Sequence, residues 1–283
     1  MKVVNTINDI RKIVKEWKGE GLSVGLVPTM GFLHEGHKSL IKRAVLENDR
    51  VVVSDFVNPT QFSPNEDLES YPRDIHQDAA LCEEAGADIV FHPFPAEMYF
   101  SNFTTYVNPE VLSCELCGKT RPIHFRGVCT VVTKLFNIVQ PNRAYFGQKD
   151  AQQLAIIRRM VRDLNFDIDI VGCPIIREPD GLAKSSRNTY LSRPEREAAT
   201  ILSQAVKLGQ KLVADGERNC SVVLEKMITL IETEPLAKID YVAAVDAESI
   251  QHVDEFKRPV LVAMAVYIGN TRLIDNFIWE PAK

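Results

Sequence analysis

No stretch of this 283-residue chain approaches the roughly 18 consecutive apolar residues that a membrane-spanning helix needs. The nearest, "RPVLVAMAVYIGN", is far shorter. The N-terminal "MKVVNTINDIRKIVKEWKGEG" carries charges throughout and lacks the apolar core of a secretory signal. Excess basic charge is missing too: 33 Lys and Arg against 38 Asp and Glu leave a net charge of −5. That gives no electrostatic case for a dedicated nucleic-acid or membrane-surface binder. An anionic small substrate stays open, because a site's local field matters more than the total. Internal repeats and low-complexity tracts are also absent. Cysteine is sparse, with six residues at 82, 114, 117, 129, 173 and 220. Without a secretion signal these read as reduced thiols, and a cytoplasmic enzyme is the expectation. Cys114 and Cys117 form one C-x-x-C, but a zinc site of that type needs a second, and none exists. "VLSCELCGKTRP" also lacks the strand-to-helix start of a thioredoxin motif, so the spacing reads as chance.

What is present is ordinary globular composition, 45% hydrophobic and 25% charged, arranged in a recognisable alternation. Ile7, Ile10, Ile13, Val14 and Trp17 fit one helical face. "SVGLVPT" reads as a buried strand, "HKSLIKRAVLENDR" as a helix and "VVVSDFVN" as a strand. "DIHQDAALCEEAGA" reads as a helix and "DIVFHP" as a strand. "FRGVCTVVTKLFNIVQ" follows as a helix ended by Pro141, then "RAYFG" (strand), "DAQQLAIIRRMVRDLN" (helix) and "DIDIVGCPII" (strand). Short apolar strands alternating with helices predict an α/β fold with a doubly wound parallel sheet, Rossmann-like. After "YLSRPE" the pattern changes. Residues 195 to 216 and 221 to 233 look helical, whereas "IDYVAAVDA" and "RPVLVAMAVYIGNTRLIDNFIW" look like strands with turns between them. The expected division is a Rossmann-like domain over 1–176 and a smaller C-terminal α+β domain over 177–283. Ligands of doubly wound sheets sit at the carboxyl ends of the strands. "PTMGFLHEGH", "NPTQF", "GQKD" and "REPDGLAKSSRN" all fall at such ends.

The histidine pair in "PTMGFLHEGH" admits three chemistries. Zinc needs a third ligand, and the metalloprotease signature spaces its histidines i, i+4 on a helix; His34 and His37 are i, i+3 with Gly36 between them. Nucleophilic catalysis lacks a serine or cysteine in the motif and a G-x-S-x-G elbow anywhere. Phosphate fits better, because a Gly-containing turn from strand to helix aims backbone N–H groups and the helix dipole at its ligand. Imidazoles there can donate to phosphate oxygens, with added charge if protonated. A histidine that merely caps the helix is the bland alternative. Neither nucleotide loop in common use is present, whether G-x-x-x-x-G-K-S/T or G-x-G-x-x-G after a strand. "LAKSSRN" is the candidate replacement: Lys184, Ser185, Ser186 and Arg187 put two cations and two hydroxyls in four residues, a donor set suited to a polyphosphate. In "GQKDAQQ", Lys149 and Asp150 open a helix and Gln153 lies one turn in. Taken alone, Lys149 could equally be a solvated surface cation.

A histidine pair at the first strand–helix turn plus a lysine/serine loop after a late strand resembles the HIGH/KMSKS nucleotidyltransferase superfamily. The wider text is narrower: "VPTMGFLHEGH", "FVNPTQF", "YPRD", "HFRGV", "KLFNIVQP", "FGQKDAQQL", "DGLAKSSRNTYL" and "TRLIDN". In that order, over residues 22 to 191 and again at 271 to 276, it is similar to the pantoate–β-alanine ligase (pantothenate synthetase) family.

The resemblance implies ATP-dependent joining of pantoate to β-alanine through pantoyl adenylate, releasing pyrophosphate and AMP. It implies catalytic roles for His34, His37 and Lys149. ATP would meet Met30, Gly31, Phe32, Leu33, His34, Glu35, Gly36 and His37. Gly147, Gln148, Lys149, Asp150 and Ile176 would hold the nucleotide, and Lys184, Ser185, Ser186 and Arg187 would close on the triphosphate from the second, lid-like domain. Gln61 and Gln153 would bind pantoate, with Asn58 a weaker contributor. Mg²⁺ would travel with ATP, Asp78 being a candidate water-mediated contact. The family also implies a homodimer. Four positions depart from the family pattern: Asp55 where an aliphatic residue is usual, Thr60 beside Gln61, Gln148, and "MYFSN" without a proline after Tyr99.

Overall fold

The computed structural model describes residues 1–64 and 66–281. The chain divides into two compact units. Met1–Glu110, Arg121–Gln148 and Ile156–Pro174 form the first; Val111–Thr120, Lys149–Ala155 and Ile175–Lys283 form the second.

The first unit is built on six strands: β1 (Lys2–Val4), β2 (Val24–Thr29), β3 (Arg50–Asp55), β4 (Ile89–Phe91), β5 (Arg143–Gly147) and β6 (Asp169–Cys173). They pair in the order β1-β4-β3-β2-β5-β6, every pairing parallel. Its helices are α1 (Ile7–Gly19), α2 (Glu35–Glu47), α3 (Ile75–Ala85) and the short α4 (Pro95–Met98), with α5 (Cys117–Thr120) belonging to the second unit. α6 (His124–Val139) and most of α7 (Ala151–Asp163) complete the first. The apolar runs are explained by burial on both faces of the sheet: Val24, Leu26 and Val27 in β2 and Val52 and Val53 in β3 have no exposed surface. α1 starts where the Thr6 side chain accepts from Asp9 N–H, and it buries Ile10 and Val14. α6 ends at Val139 with Gln140 in the left-handed conformation, φ 47°, just before Pro141.

From β2 the chain winds outward through β3 and β4, then returns to place β5 on the other flank of β2. The winding therefore reverses between β2 and β5, and the loops leaving those two strands flank the switch point. One of them is the histidine loop and the other begins at Gly147 and Gln148. Sequence periodicity missed β1, a three-residue strand too short to show a pattern.

The second unit holds an antiparallel sheet in the order β7-β8-β9: β7 (Ala237–Asp246), β8 (Val260–Ile268) and β9 (Thr271–Trp279). α8 (Arg193–Ala198), α9 (Thr200–Ala214) and α10 (Cys220–Ile231) complete it. Leu202, Val206, Val223, Met227, Met264 and Phe277 belong to its core. The helix expected over 195–216 starts earlier, at a Ser192–Glu195 capping box, and is broken at Ala199 into α8 and α9. Among the described residues no helix is long and apolar enough to cross a membrane.

Candidate active site

The turn from β2 into α2 is held from beneath. Gly31 has φ 84° and Phe32 φ 50°, two successive left-handed residues that turn neighbouring N–H groups the same way. Those N–H groups point at Asp78 in α3: Phe32 N donates to Oδ2 at 2.7 Å and Leu33 N to Oδ1 at 2.6 Å. The expectation of free backbone donors awaiting a phosphate is thus corrected, since a buried carboxylate already takes them. Asp78 itself is 1% exposed. With both oxygens engaged in the interior, it is a support for the turn rather than a water-mediated contact to Mg²⁺.

His34 is the N-cap of α2, and its Nδ1 accepts from Gly36 N at 3.0 Å. His37, one turn in, accepts from His34 N through its own Nδ1 at 3.3 Å. The rings lie 4.1 Å apart between centroids, tilted by 35°. Capping and phosphate binding are therefore compatible readings of one pair. An Nδ1 that accepts cannot carry a proton, so the neutral imidazole that keeps these bonds has its hydrogen on Nε2. Each ring presents an N–H donor whose direction is fixed by the helix start. Protonation would sacrifice the cap bonds, which favours neutral donors over the cationic ones that residue type alone allowed.

Asp55, at the end of β3, answers the question its sequence position raised: it points inward and is 4% exposed. His92 Nδ1 donates to the Asp55 backbone oxygen at 2.9 Å and lies 3.6 Å from Oδ2. The Asp55 carboxyl beside it raises the His92 pKa above its ordinary value. Burial, opposed by the two turn N–H groups, pushes the Asp78 carboxyl up to about 6, with the charge of Asp55 adding to the rise.

After β3 the chain makes a tight turn, Pro59–Gln61. Gln61 is 5% exposed; its Nε2 lies 2.9 Å from Met30 Sδ, and its Oε1 accepts from Asn58 Nδ2 at 3.0 Å. Asn58 also donates to Gly127 O at 3.2 Å, and its Oδ1 accepts from Thr60 Oγ1 at 3.0 Å and Tyr99 OH at 2.8 Å. Two donors and two acceptors exhaust an amide side chain. Asn58 is therefore corrected from a substrate contact to a group that positions Gln61. His124 Nδ1 lies 3.1 Å from Gln61 O and steadies the same turn. α6 approaches so closely that a Cβ on Gly127 would overlap Thr60 O and the Gln61 backbone. His124 lies within "HFRGV" and Tyr99 within "MYFSN", but residue type and spacing assign neither of them a role at Gln61.

The second unit gathers the other predicted residues. Lys149 is half-buried, with its backbone oxygen accepting from Asn276 Nδ2 at 2.8 Å. Gln152 is buried and occupied with the carbonyls of Leu112 and Glu115 and the Cys117 N–H. Gln153 is half-buried on the next residue. The loop bearing Lys184 to Arg187 grows from a tight return in which Glu178 N donates to Leu182 O and Lys184 N to Ile176 O. Lys184 Nζ pairs with Glu178 at 3.1 Å, and Ser185 Oγ accepts from Arg187 N. Arg177 anchors the return through a bidentate pair with Asp275, 2.7 and 2.9 Å, on β9. Neither partner was foreseen, although Asp275 and Asn276 interrupting the apolar run of "TRLIDNFIW" is a legible signal. Among the described residues no group of three or more His, Cys, Asp or Glu could hold a metal ion.

Comparison with known proteins agrees in sequence and in shape. A family model described as pantoate-beta-alanine ligase matches residues 2–278. A pantothenate synthetase of Clostridium acetobutylicum is 62% identical over 280 residues, 99% of this chain and 100% of that protein. One from Ruminiclostridium cellulolyticum is 63% identical over 281 residues, again 99% and 100% of the two chains. The crystal structure of pantothenate synthetase from Thermus thermophilus superposes with a TM-score of 0.93 at 43% identity, covering 98% of this chain and 99% of that one. A pantoate-beta-alanine ligase from Francisella tularensis, solved with beta-gamma ATP and beta-alanine, gives 0.80 at 35% identity over 98% and 97%. With the model spanning nearly its whole length, this chain belongs to the pantoate–β-alanine ligase family.

Proposed function

We propose that the chain joins pantoate to β-alanine at the expense of ATP. A pantoate carboxylate oxygen attacks the α-phosphorus, the bond to the bridging oxygen breaks, and pyrophosphate leaves. The β-alanine amine then attacks the acyl carbon of the adenylate; AMP departs with the bonding electrons and the amine loses a proton. Neither step requires a covalent enzyme intermediate, so the protein's work is positioning and charge stabilisation. The observation that carries this reading is the histidine pair beside the β2/β5 switch point, its Nδ1 atoms tied into the helix cap. Nε2–H donors so fixed suit an α-phosphate gaining charge in the transition state.

In this reading His34 and His37 donate to ATP phosphate oxygens, and Lys149 supplies a cation to them. The turn Met30–Leu33, Glu35, Gly36, residues Gly147, Gln148 and Asp150, and Ile176 shape the nucleotide site. Lys184, Ser185, Ser186 and Arg187, from the 177–283 segment, bind the triphosphate. Gln61 and Gln153 hold pantoate, and Met30, against Gln61, lines its place. Mg²⁺ arrives as the counter-ion of ATP. The reaction belongs in the cytoplasm and the active species is a homodimer, which light scattering tests.

The deciding assay follows AMP release with pantoate and β-alanine omitted in turn, alongside exchange of labelled pyrophosphate into ATP. Exchange should require pantoate and not β-alanine, whereas AMP turnover should require both. Exchange without pantothenate formation would instead point to a nucleotidyltransferase that stops at the adenylate.

A further inference from the structure

We infer that Asp55 is a positioning residue that acts through Asp78: the two carboxyls share one proton beneath Gly31, and that proton clamps the Gly31–Leu33 turn. The inference deepens the reading of this turn as part of the nucleotide site and rests on it only for the consequence to catalysis. Asp55 comes from the end of β3 and Asp78 from the first turn of α3, 4% and 1% exposed. Both carboxyls converge on the space beside Gly31 that a side chain would need. A Cβ on Gly31 would overlap Asp55 Oδ1 and meet Asp78 Oδ2 at 3.2 Å. Asp78 spends both oxygens on the turn's N–H groups. Asp55 Oδ2 is buried with no hydrogen bond. His92 Nδ1 is 3.6 Å from it and already engaged with the Asp55 backbone oxygen.

Two buried carboxylates so placed repel, whereas one proton between them replaces the repulsion with a charge-assisted O–H···O⁻ bond. Asp78 remains an acceptor for Phe32 and Leu33 in that state. The rise of the Asp78 pKa to about 6, driven first by burial and reinforced by Asp55, has the direction a shared proton requires. The other titratable groups facing the pair are few. His92 follows β4, and its pKa is raised by Asp55. Cys82 lies in α3, its thiol pushed to about 12 by burial and therefore neutral. His34 and His37 follow on the turn itself.

If the turn opens, both carboxyls reach water and the proton leaves, so opening becomes easier as pH rises between the two pKa values. With an ordinary value of 3.8 and a clamped value near 6, the linkage amounts to about a hundredfold in the opening equilibrium between pH 4 and pH 7. Amide hydrogen exchange at Phe32 and Leu33, corrected for intrinsic rates, reads that equilibrium without substrate. Protection in the wild type should fall about a hundredfold across this range. In Asp55→Asn, whose side-chain amide donates to Asp78 at every pH, it should stay flat. Because His34 and His37 are the same in both proteins, the ratio between the two removes their contribution. Asp55→Leu, which removes the second charge and leaves burial alone to raise the Asp78 pKa, should show a smaller fall than the wild type and serves if the asparagine variant folds poorly. Parallel profiles in wild type and variants would overturn the shared proton. Loss of pantoate-dependent pyrophosphate exchange in every form would instead overturn the nucleotide reading and leave the proton pair standing.

Discussion

In the proposed function the two imidazoles divide their nitrogens between structure and chemistry, and that division can be tested one atom at a time. Nδ1 of His34 caps α2, and Nδ1 of His37 accepts from the His34 N–H. Only Nε2 is assigned to phosphate. Replacing His34 by alanine removes both functions: it should cost about 1 kcal/mol of stability through the lost cap. It should also slow adenylation by roughly 10²–10³-fold through the lost transition-state donor. His34→Asn separates them, because asparagine is among the best N-caps but cannot put a donor where Nε2 was. Chemical denaturation of His34→Asn should return to the wild-type midpoint while pantoate-dependent pyrophosphate exchange stays slow. Recovery of exchange along with stability would assign the histidine to capping alone. His37→Ala should slow exchange on the same scale. Residue type in the sequence suggested a phosphate donor at both positions. The tautomer was hidden there, because it depends on which backbone N–H each ring meets after α2 has formed.

At the scale of elements, alternation of short apolar strands with helices was legible because burial on both sheet faces forces it, and five of the six parallel strands carried that pattern. What stayed hidden is long-range. Asn58 has the look of a substrate ligand in "NPTQF", and only the approach of α6 and Tyr99 shows its amide fully occupied. Residues 111–120 and 149–155, both part of the second unit, are tied to each other by Gln152, whose three backbone partners lie 35 to 40 positions away. α6 offers the sharpest test of how an element sets a site. Gly127 meets the Thr60–Gln61 backbone with no space for a methyl group. Gly127→Ala should therefore lift α6 off that turn, costing about 1–3 kcal/mol by overpacking. Because Asn58 bonds to Gly127 O and to Gln61 together, Gln61 should shift with it. The expected kinetic signature is a raised KM for pantoate with little change for ATP. A destabilised variant with an unchanged pantoate KM would remove Gln61 from the substrate site.

For the molecule as a whole, the buried acids that never ionise at neutral pH set an alkaline limit on stability. Burial pushes the thiols of Cys82 and Cys129 to about 12 and that of Cys220 to about 11, against 9.0 for a free thiol. It likewise pushes the Tyr99 and Tyr145 hydroxyls from 10.0 to about 12. In each case the folded protein keeps a proton that the unfolded chain gives up, so unfolding releases protons and stability falls as pH rises. These contributions are intact below pH 9 and are lost progressively from there toward the folded values. At pH 11, two units above the ordinary thiol value, Cys82 and Cys129 would each withdraw on the order of 2–3 kcal/mol. Losses of that size consume much of the 5–15 kcal/mol by which domains are stable. Under reducing conditions the urea midpoint should therefore hold steady from pH 7 to pH 9 and drop steeply by pH 11. Cys129→Ala should begin lower at pH 7, because it opens a cavity, yet descend less steeply, because one ionisable group has gone. A variant whose midpoint falls in parallel with the wild type would show that Cys129 does not contribute to the alkaline limb.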